Sequence, residues 1–502
     1  MRELLTNCSM EGVRFIADIR NPRFIRWSYF VLVLGSLAGG LVVAGLNLAT
    51  VSSRPPLVVV TQVAPHPVQQ VDFPAVALCS YNTISAAELD SYAKYLYSLE
   101  KNNTYSLEDL KRNLLAFSGL ITTYSQVSFD ANFTKYLAEV VRQTNVTDII
   151  YRLSPKCESM FVRCGWRGGR ASCNRLFALR ITDVGYCCVF NSRYSSEDRK
   201  NHPYRVKQVG QEYGLSVIVK ENTDDFTYVR RSGEELEMLI FDGRQYPLNR
   251  AGVIRTYPVR RNASVFVTLQ ASVQRASGSL RYMTEAWRGC ALTYPEGLPR
   301  HSWSQCVAEC RRRAALALCQ CTPHTKPISN RSSNEVTCSL EHLACLDKHK
   351  EKLTFFYPGE NAHESLSEEQ ADSVECLHCR PNCARLRYAA KIWTMPYKNI
   401  VRKILYNHFV QDVKLWNATV LRIYFTTNDQ HLCLVETNMR IFEVLSFISC
   451  QWVLVVGATV VTVLEVLYHC TVRWRHHYAR RRRQETLPRV KEAKRKKIKK
   501  KN

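Results

Sequence analysis

Two uncharged apolar runs constrain this chain more than any other feature. Residues 27–51, WSYFVLVLGSLAGGLVVAGLNLATV, hold 25 positions without a charge, and residues 444–464, VLSFISCQWVLVVGATVVTVL, hold 21. A helix needs about 20 such residues to cross a bilayer, so each run is long enough. The first also exceeds the apolar stretch of a signal peptide, about 7 to 15 residues, and reads as an uncleaved anchor.

Lys and Arg near membrane ends prefer the cytoplasmic side. Arg14, Arg20, Arg23 and Arg26 precede the first run; Arg473, Arg475 and Arg480 to Arg483 follow the second. Both termini are expected inside, which places the intervening residues outside the cell. Two other features agree with that placement. Asn102, Asn132, Asn145, Asn262, Asn330 and Asn417 each open an Asn-x-Ser/Thr sequon, which matters only in the secretory lumen. Seventeen of the 20 cysteines lie between the runs, leaving Cys8, Cys450 and Cys470. Cysteines so placed suit an oxidising compartment.

The net charge of +25 is uneven: residues 471–502 carry 15 Lys or Arg against Glu485 and Glu492. On a membrane protein this tail is expected to sit against anionic inner-leaflet lipid, and nucleic acid is not an expected partner. The closing KKKN also fits a dilysine retrieval signal, which predicts that some protein is held in the endoplasmic reticulum.

Between the apolar runs, residues 85–99, 106–121 and 133–141 place apolar side chains three and four apart and read as short amphipathic helices. Residues 215–220, 236–241 and 263–271 alternate and read as strands. The fold class is α+β. A cysteine ladder follows, Cys306-x3-Cys310-x8-Cys319-x-Cys321, then Cys338-x6-Cys345 and Cys376-x2-Cys379-x3-Cys383. Disulfides suit it outside the cell; zinc held by these thiolates with His324 or His378 is the rival reading. The chain has no GxSxG, HExxH or phosphate-cradling glycine loop, and His363-Glu364 lacks a second histidine, so it is not expected to be an enzyme.

FPAVALCS (73–80), GYCCVFN (185–191), the cysteine ladder and GATVVTVLEVLY (457–468) together resemble the degenerin and epithelial sodium channel superfamily. CGWRGGRASCNRLF (164–177), followed by the double Cys187-Cys188, is most similar to the arthropod pickpocket branch. The resemblance implies an α+β membrane protein, with two transmembrane helices and a large disulfide-rich extracellular domain of palm, finger, thumb and knuckle pieces. The boundaries drawn are a cytoplasmic 1–26, spans at 27–51 and 441–467, an ectodomain at 52–440 and a basic cytoplasmic tail at 468–502. The implied activity is a trimeric, sodium-preferring, amiloride-sensitive channel of the plasma membrane, assembled from identical or related subunits and gated through its ectodomain by ligand or force. It needs no cofactor beyond the permeant sodium ion and no metal. A non-conducting receptor or regulatory subunit is the alternative.

The same resemblance implies pairs Cys79 to Cys187, Cys164 to Cys173, Cys290 to Cys383, Cys306 to Cys379, Cys310 to Cys376, Cys319 to Cys345 and Cys321 to Cys338. Cys157 and Cys188, extra to that pattern, form an eighth expected bond, which leaves Cys433 as the odd extracellular thiol.

In the second run, Ser446, Ser449, Cys450, Val453, Gly457 and Leu464 share one helical stripe of mostly small or polar side chains. Such a stripe lines water or packs against another helix. By resemblance Gly457-Ala458-Thr459 is the ion selectivity filter. In an unbroken helix Gly457 and Thr459 stand about 200° apart. A local break at Gly457 would free carbonyls for a cation, whereas an intact helix would use the glycine as a packing notch. Ser446 aligns with the site where a small side chain permits closure. Glu465 is a candidate for the inner mouth, with an interfacial carboxylate reaching water as the alternative. The family's His-Gly gating pair stands here as Glu11-Gly12, and its paired glycines before the filter as Ser449-Cys450. Trp287 matches an aromatic at the wrist, yet the facing LVVV (57–60) lacks the tyrosine that would receive it. In the first run, Gly35-x3-Gly39 and Ser36-x3-Gly40 read as helix-packing notches.

Overall fold

The computed structural model describes residues 12–478, apart from 54–56, 62–64, 100–103, 122–126, 140–144, 196–197, 199–201, 221, 231–235, 249–253, 293–301, 325–334, 356, 360–361, 397–408, 414, 416, 438–440, 458 and 477. Glu11, Asn102, Asn330, Ala458 and the basic tail from Arg480 onward therefore lie outside the described residues, as does the closing KKKN. The chain divides into two units: one built from both ends, up to Val58 and from Thr437, and one spanning Val59–Glu436.

In the end unit, Pro22 immediately precedes a helix at Arg23–Ser53, a position where its missing N–H costs nothing. Its Arg23–Thr50 stretch is long and apolar enough to cross a membrane. Its apolar side chains stand exposed, Leu41 and Val42 among them. The second run, drawn as a span at 441–467, is not one continuous helix. It forms a helix at Ile441–Val456, an interruption, a second helix at Val460–Tyr468 and a π-helical turn at His469–Arg473. Neither piece alone meets the length of a membrane span. The cause is Gly457, whose φ of +66° lies in the left-handed region that ends a helix.

The Val59–Glu436 unit is built on two large sheets, with a two-stranded ribbon of Asn82–Ser85 and Phe226–Val229 beside them among the described residues. The long strand Ala263–Ala276 is the axis of a nine-stranded sheet. Arg385–Pro396 runs antiparallel along one side of it, from Ala263 opposite Pro396 to Gln274 opposite Arg385. On the other side two parallel strands share its length, Ala418–Phe425 and then Asp429–Thr437. Leu215–Lys220, Phe161–Trp166 and Gly169–Ala171 continue the sheet outward from Ala418–Phe425. A five-stranded antiparallel sheet runs Arg255–Val259, Leu236–Phe241, Ala75–Cys79, Gly185–Phe190, Phe177–Thr182.

The central strands of that second sheet are buried on both faces. Val76, Leu78, Met238, Ile240 and Phe190 share a core with Val217, Val265, Val267 and Leu421 of the larger sheet. Ala75, Ala77, Val189, Leu239 and Phe241 face the other way, onto Val307 and Ala308 of the helix Trp303–Cys319. This explains the continuous apolar run of AVALC better than alternation does. The strand expected at 236–241 is present, and its one charged residue, Glu237, is fully buried and ion-paired with Arg230, whose guanidinium also lies 5.4 Å from the Tyr81 ring centroid. A third core gathers the helices Ala86–Leu99, Leu107–Leu115, Phe133–Glu139 and Val146–Leu153 around Leu96, Leu110, Phe133 and Ile149. The helix read at 106–121 is shorter: Ser106 caps it by accepting the Asp109 N–H at 3.2 Å, and after Leu115 the chain tightens into a 3₁₀ turn, Ala116–Leu120.

Eight disulfides brace this unit: Cys79–Cys187, Cys157–Cys188, Cys164–Cys173, Cys290–Cys383, Cys306–Cys379, Cys310–Cys376, Cys319–Cys345 and Cys321–Cys338. Adjacent residues of a strand point to opposite faces, so Cys187 bonds on the side of the Trp303–Cys319 helix and Cys188 on the side of the larger sheet. Cys433 is half-buried and free. Cys306, His378 and Cys379 cluster closely enough for a metal, but the two sulfurs are bonded to each other.

Phe73 explains why two of the sequence motifs travel together. Its ring meets Trp166, Phe425 and Phe190 edge-on, at 4.9, 5.6 and 6.0 Å between centroids. Its carbonyl accepts the Asn191 side-chain amide at 2.5 Å, while Asn191 Oδ1 accepts the Tyr204 N–H at 3.1 Å.

Candidate functional site

The interruption at Gly457 is built by its neighbours. The Gly457 N–H closes the preceding helix on the Val453 carbonyl at 3.0 Å. Two residues later the next helix begins with a reciprocal cap. The Thr459 N–H donates to Thr462 Oγ1 at 3.2 Å, and the Thr462 N–H donates to Thr459 Oγ1 at 3.4 Å. Two of the donors left unpaired at a helix start are thereby satisfied. The Thr459 hydroxyl thus faces its own backbone as a cap. Thr462, which the sequence reading passed over, is buried and completes it; its signal was the Thr-x2-Thr spacing just after a glycine.

Before the break, Ser446, Ser449 and Cys450 stand exposed on the helix Ile441–Val456, with Val453 49% exposed beside them. The face that packs is a different one. A Cβ at Gly40 would come within 2.8 Å of Val456 and 3.8 Å of Trp452, and Asn47 donates its side-chain amide to Gln451. The small-residue stripe is therefore not what joins this helix to Arg23–Ser53. Leu464 lies beyond the break, exposed on the helix Val460–Tyr468. Of the packing notches in the first run, Gly40 makes this close approach, whereas a Cβ at Gly35 or Gly39 would meet nothing within 4 Å. The Ser36 hydroxyl bonds the Val33 carbonyl of its own helix at 2.9 Å, as Thr50 bonds Leu46 at 2.7 Å. Such bonds satisfy polar groups where water is absent. Glu465 is half-buried on the second short helix.

Gly12 precedes the short helix Val13–Ala17 with φ of +85°, and a Cβ there would lie 2.9 Å from Val33. Phe15 stacks on Tyr29 at 4.7 Å, and the Arg26 Nε donates to the Ile16 carbonyl at 2.9 Å, so this segment is fastened to the long apolar helix.

In the other unit, Trp287 is 65% exposed on the turn Glu285–Arg288. What shapes that turn is Arg288, which sequence reasoning missed. Its buried guanidinium donates to the carbonyls of Cys290, Leu280 and Met283 at 2.7, 3.0 and 3.1 Å, and Gly289 then turns left-handed at φ +67°. Val59 and Val60 of the LVVV stretch are exposed. Asn132, Asn145 and Asn262 are exposed and Asn417 is half-buried.

An apolar helix of membrane length, a second apolar segment broken at a glycine, and a large disulfide-braced α+β unit between them define a membrane-anchored protein. The family model for the amiloride-sensitive sodium channel matches residues 4–469. The chain belongs to that family, the degenerin and epithelial sodium channel superfamily, in its arthropod branch. It is 20% identical to sodium channel protein Nach of Drosophila ananassae, over 94% of this chain and 86% of that one. Pickpocket protein 19 of Drosophila melanogaster is 24% identical over 67% of this chain and 68% of its own length. Acid-sensing ion channel 4 of Mus musculus is 23% identical over 90% of this chain and 76% of its own. The protein is a cation channel subunit of this family, not an enzyme, and its place is a membrane.

Proposed function

We propose that three copies, or this chain with related subunits, form a sodium-preferring, amiloride-sensitive channel of the plasma membrane, with both apolar segments crossing the bilayer and both termini inside. The broken segment lines the conduit. Gly457 to Thr459 form the selectivity filter, Ser446 lies where the closed conduit narrows, and Ser449, Cys450 and Val453 continue the water-facing stripe toward Gly457. Glu465 draws cations at the inner mouth. The ectodomain, residues 52–440, receives ligand or force and turns or bends the second span; Gly12 and Trp287 take part in that coupling. The basic tail holds inner-leaflet lipid.

The observation that carries this reading is the turn at Gly457. Irregular backbone is tolerated at membrane depth where it lines water or protein, and carbonyls freed from a helix replace the hydration shell of an ion. The exposed stripe of Ser446, Ser449 and Cys450, on a face apart from the helix contact at Gly40, supports it too.

The test is current in oocytes, alone and with related subunits, before and after sodium replacement and amiloride, for wild type and Ser446→Trp. The proposal expects a sodium-dependent, amiloride-sensitive current that Ser446→Trp holds open. Surface-expressed protein that gives no such current in any combination would favour a non-conducting receptor.

A further inference from the structure

A cavity of about 540 Å³ opens where the two sheets meet the base of the disulfide-laddered section. That volume lies inside the range of about 300–1,000 Å³ typical of small-molecule sites. Three elements wall it: Arg385–Tyr388 at the start of the strand Arg385–Pro396, Ile240–Asp242 with Arg255 of the five-stranded sheet, and Trp303 with Cys379, Pro381 and Asn382, tied by the Cys306–Cys379 bond. Its charge is lopsided, with Arg255, Arg385 and Arg387 against Asp242 alone. Arg385 is engaged, its Nε donating to Gln274 Oε1 at 2.8 Å. Arg255 and Arg387 are exposed and have no acidic partner among the described residues. Burial, and then the neighbouring Arg387 charge, pull Arg385 below the usual guanidinium value, as expected where cations crowd without a counter-ion. Asp242 does not relieve the crowding: burial pushes its carboxyl up, and Oδ1 already accepts the Arg244 N–H at 3.1 Å. Beside the cations lie Trp303, Phe241 and Leu386, an apolar wall.

We infer that this cavity binds a small organic carboxylate, its anionic head held by Arg255 and Arg387 and its apolar body against Trp303 and Leu386. A planar guanidinium matches a carboxylate two bonds at a time, and the apolar wall selects against a bare inorganic anion. Because the occupant touches both sheets and the base of the ladder, its binding fixes their mutual arrangement and biases opening. That last step rests on the channel reading; the binding does not.

The experiment uses the full chain in lipid nanodiscs with radiolabelled phenylacetate, competed by phenylacetate, by phenylacetamide of the same shape without the charge, and by inorganic phosphate. We expect saturable binding displaced by phenylacetate alone. Arg255→Gln and Arg387→Gln should each weaken it roughly tenfold, at an unchanged thermal unfolding midpoint. Equal displacement by phenylacetamide or by phosphate overturns the assignment. So does unaltered affinity in the double variant, or no saturable binding by protein whose unfolding is that of the intact fold. Binding without sodium-dependent current in cells, alone or with any related subunit, would refute the channel reading and leave the site standing.

Discussion

Thr459 and Thr462 cap one another: each hydroxyl accepts the other's backbone N–H, at 3.4 and 3.2 Å, directly after the left-handed turn at Gly457. A helix broken by glycine alone would leave the donors of its next start unpaired. The threonine pair makes the break a defined structure with a fixed restart.

The cap sets the first prediction. Thr459→Ser keeps the accepting oxygen and should retain selective current. Thr459→Val removes it, at about 1 kcal/mol for a lost N-cap, and should lower the sodium to potassium permeability ratio measured from reversal potentials. Gly457→Ala places a side chain at φ +66°, at a cost of about 1–2 kcal/mol, and should reduce current at equal surface expression. Unchanged permeability ratios in Thr459→Val would detach the cap from selection.

Gly12 faces two constraints, a backbone at φ +85° and Val33 at 2.9 Å from where a Cβ would stand. Gly12→Ala should alter open probability in single-channel records. Adding Val33→Ala relieves the collision but not the backbone strain, of about 1–2 kcal/mol, so rescue should be partial. Complete rescue would assign the whole effect to crowding.

Cys157–Cys188 closes a loop of sequence separation 31 beside the core shared by the two sheets. Its double replacement by alanine should destabilise the Val59–Glu436 unit by about 3–4 kcal/mol in the loop-entropy account. The unfolding midpoint under non-reducing conditions reads this directly, and a midpoint equal to wild type would contradict it.

Asp198 is buried and meets Arg180 twice at 2.7 Å. Burial opposes its charged form, but the bonds from Arg180 and Ser192 outweigh it and hold the carboxyl below the usual Asp range. A carboxyl lowered in the folded state stabilises above its unfolded value of about 3.9 and loses that contribution as pH falls through the folded value. Asp198→Asn should therefore cost about 3 kcal/mol at neutral pH, and its deficit should shrink as the pH drops below about 4. A deficit that stays constant across that range would mean the charge is not what stabilises.

The apolar runs were plain in the sequence because nothing but a membrane or a large core suits 25 uncharged positions. The strands Leu215–Lys220 and Leu236–Phe241 were legible from their β-branched and apolar content. The burial of Glu237 was not, since its partner Arg230 approaches only after folding and no local pattern announces it. The axis strand runs on past 271 to Ala276, because its polar end is paired across to Arg385 and Leu386, a long-range relationship. The ladder's connectivity needed a family resemblance, as ten cysteines admit many pairings. At Gly457 the sequence left two readings, notch or break, because glycine serves close packing and left-handed backbone equally. The first run shows the other use of the residue, at Gly40, where the partner helix fills the missing side chain's place. Arg288 and Gln451 act through carbonyls and an amide brought near by the fold, so composition could not single them out.

The most direct measurement of the central claim is thiol accessibility along Ile441–Val456 in oocytes, with Cys450 replaced by alanine. Ser446→Cys, on the proposed conduit face, is compared with Leu454→Cys, 84% exposed and about 80° around the helix from Ser446. A charged methanethiosulfonate applied outside should block sodium current in Ser446→Cys and leave Leu454→Cys untouched. Block of both alike, or of Leu454→Cys alone, would contradict a conduit lined by this face.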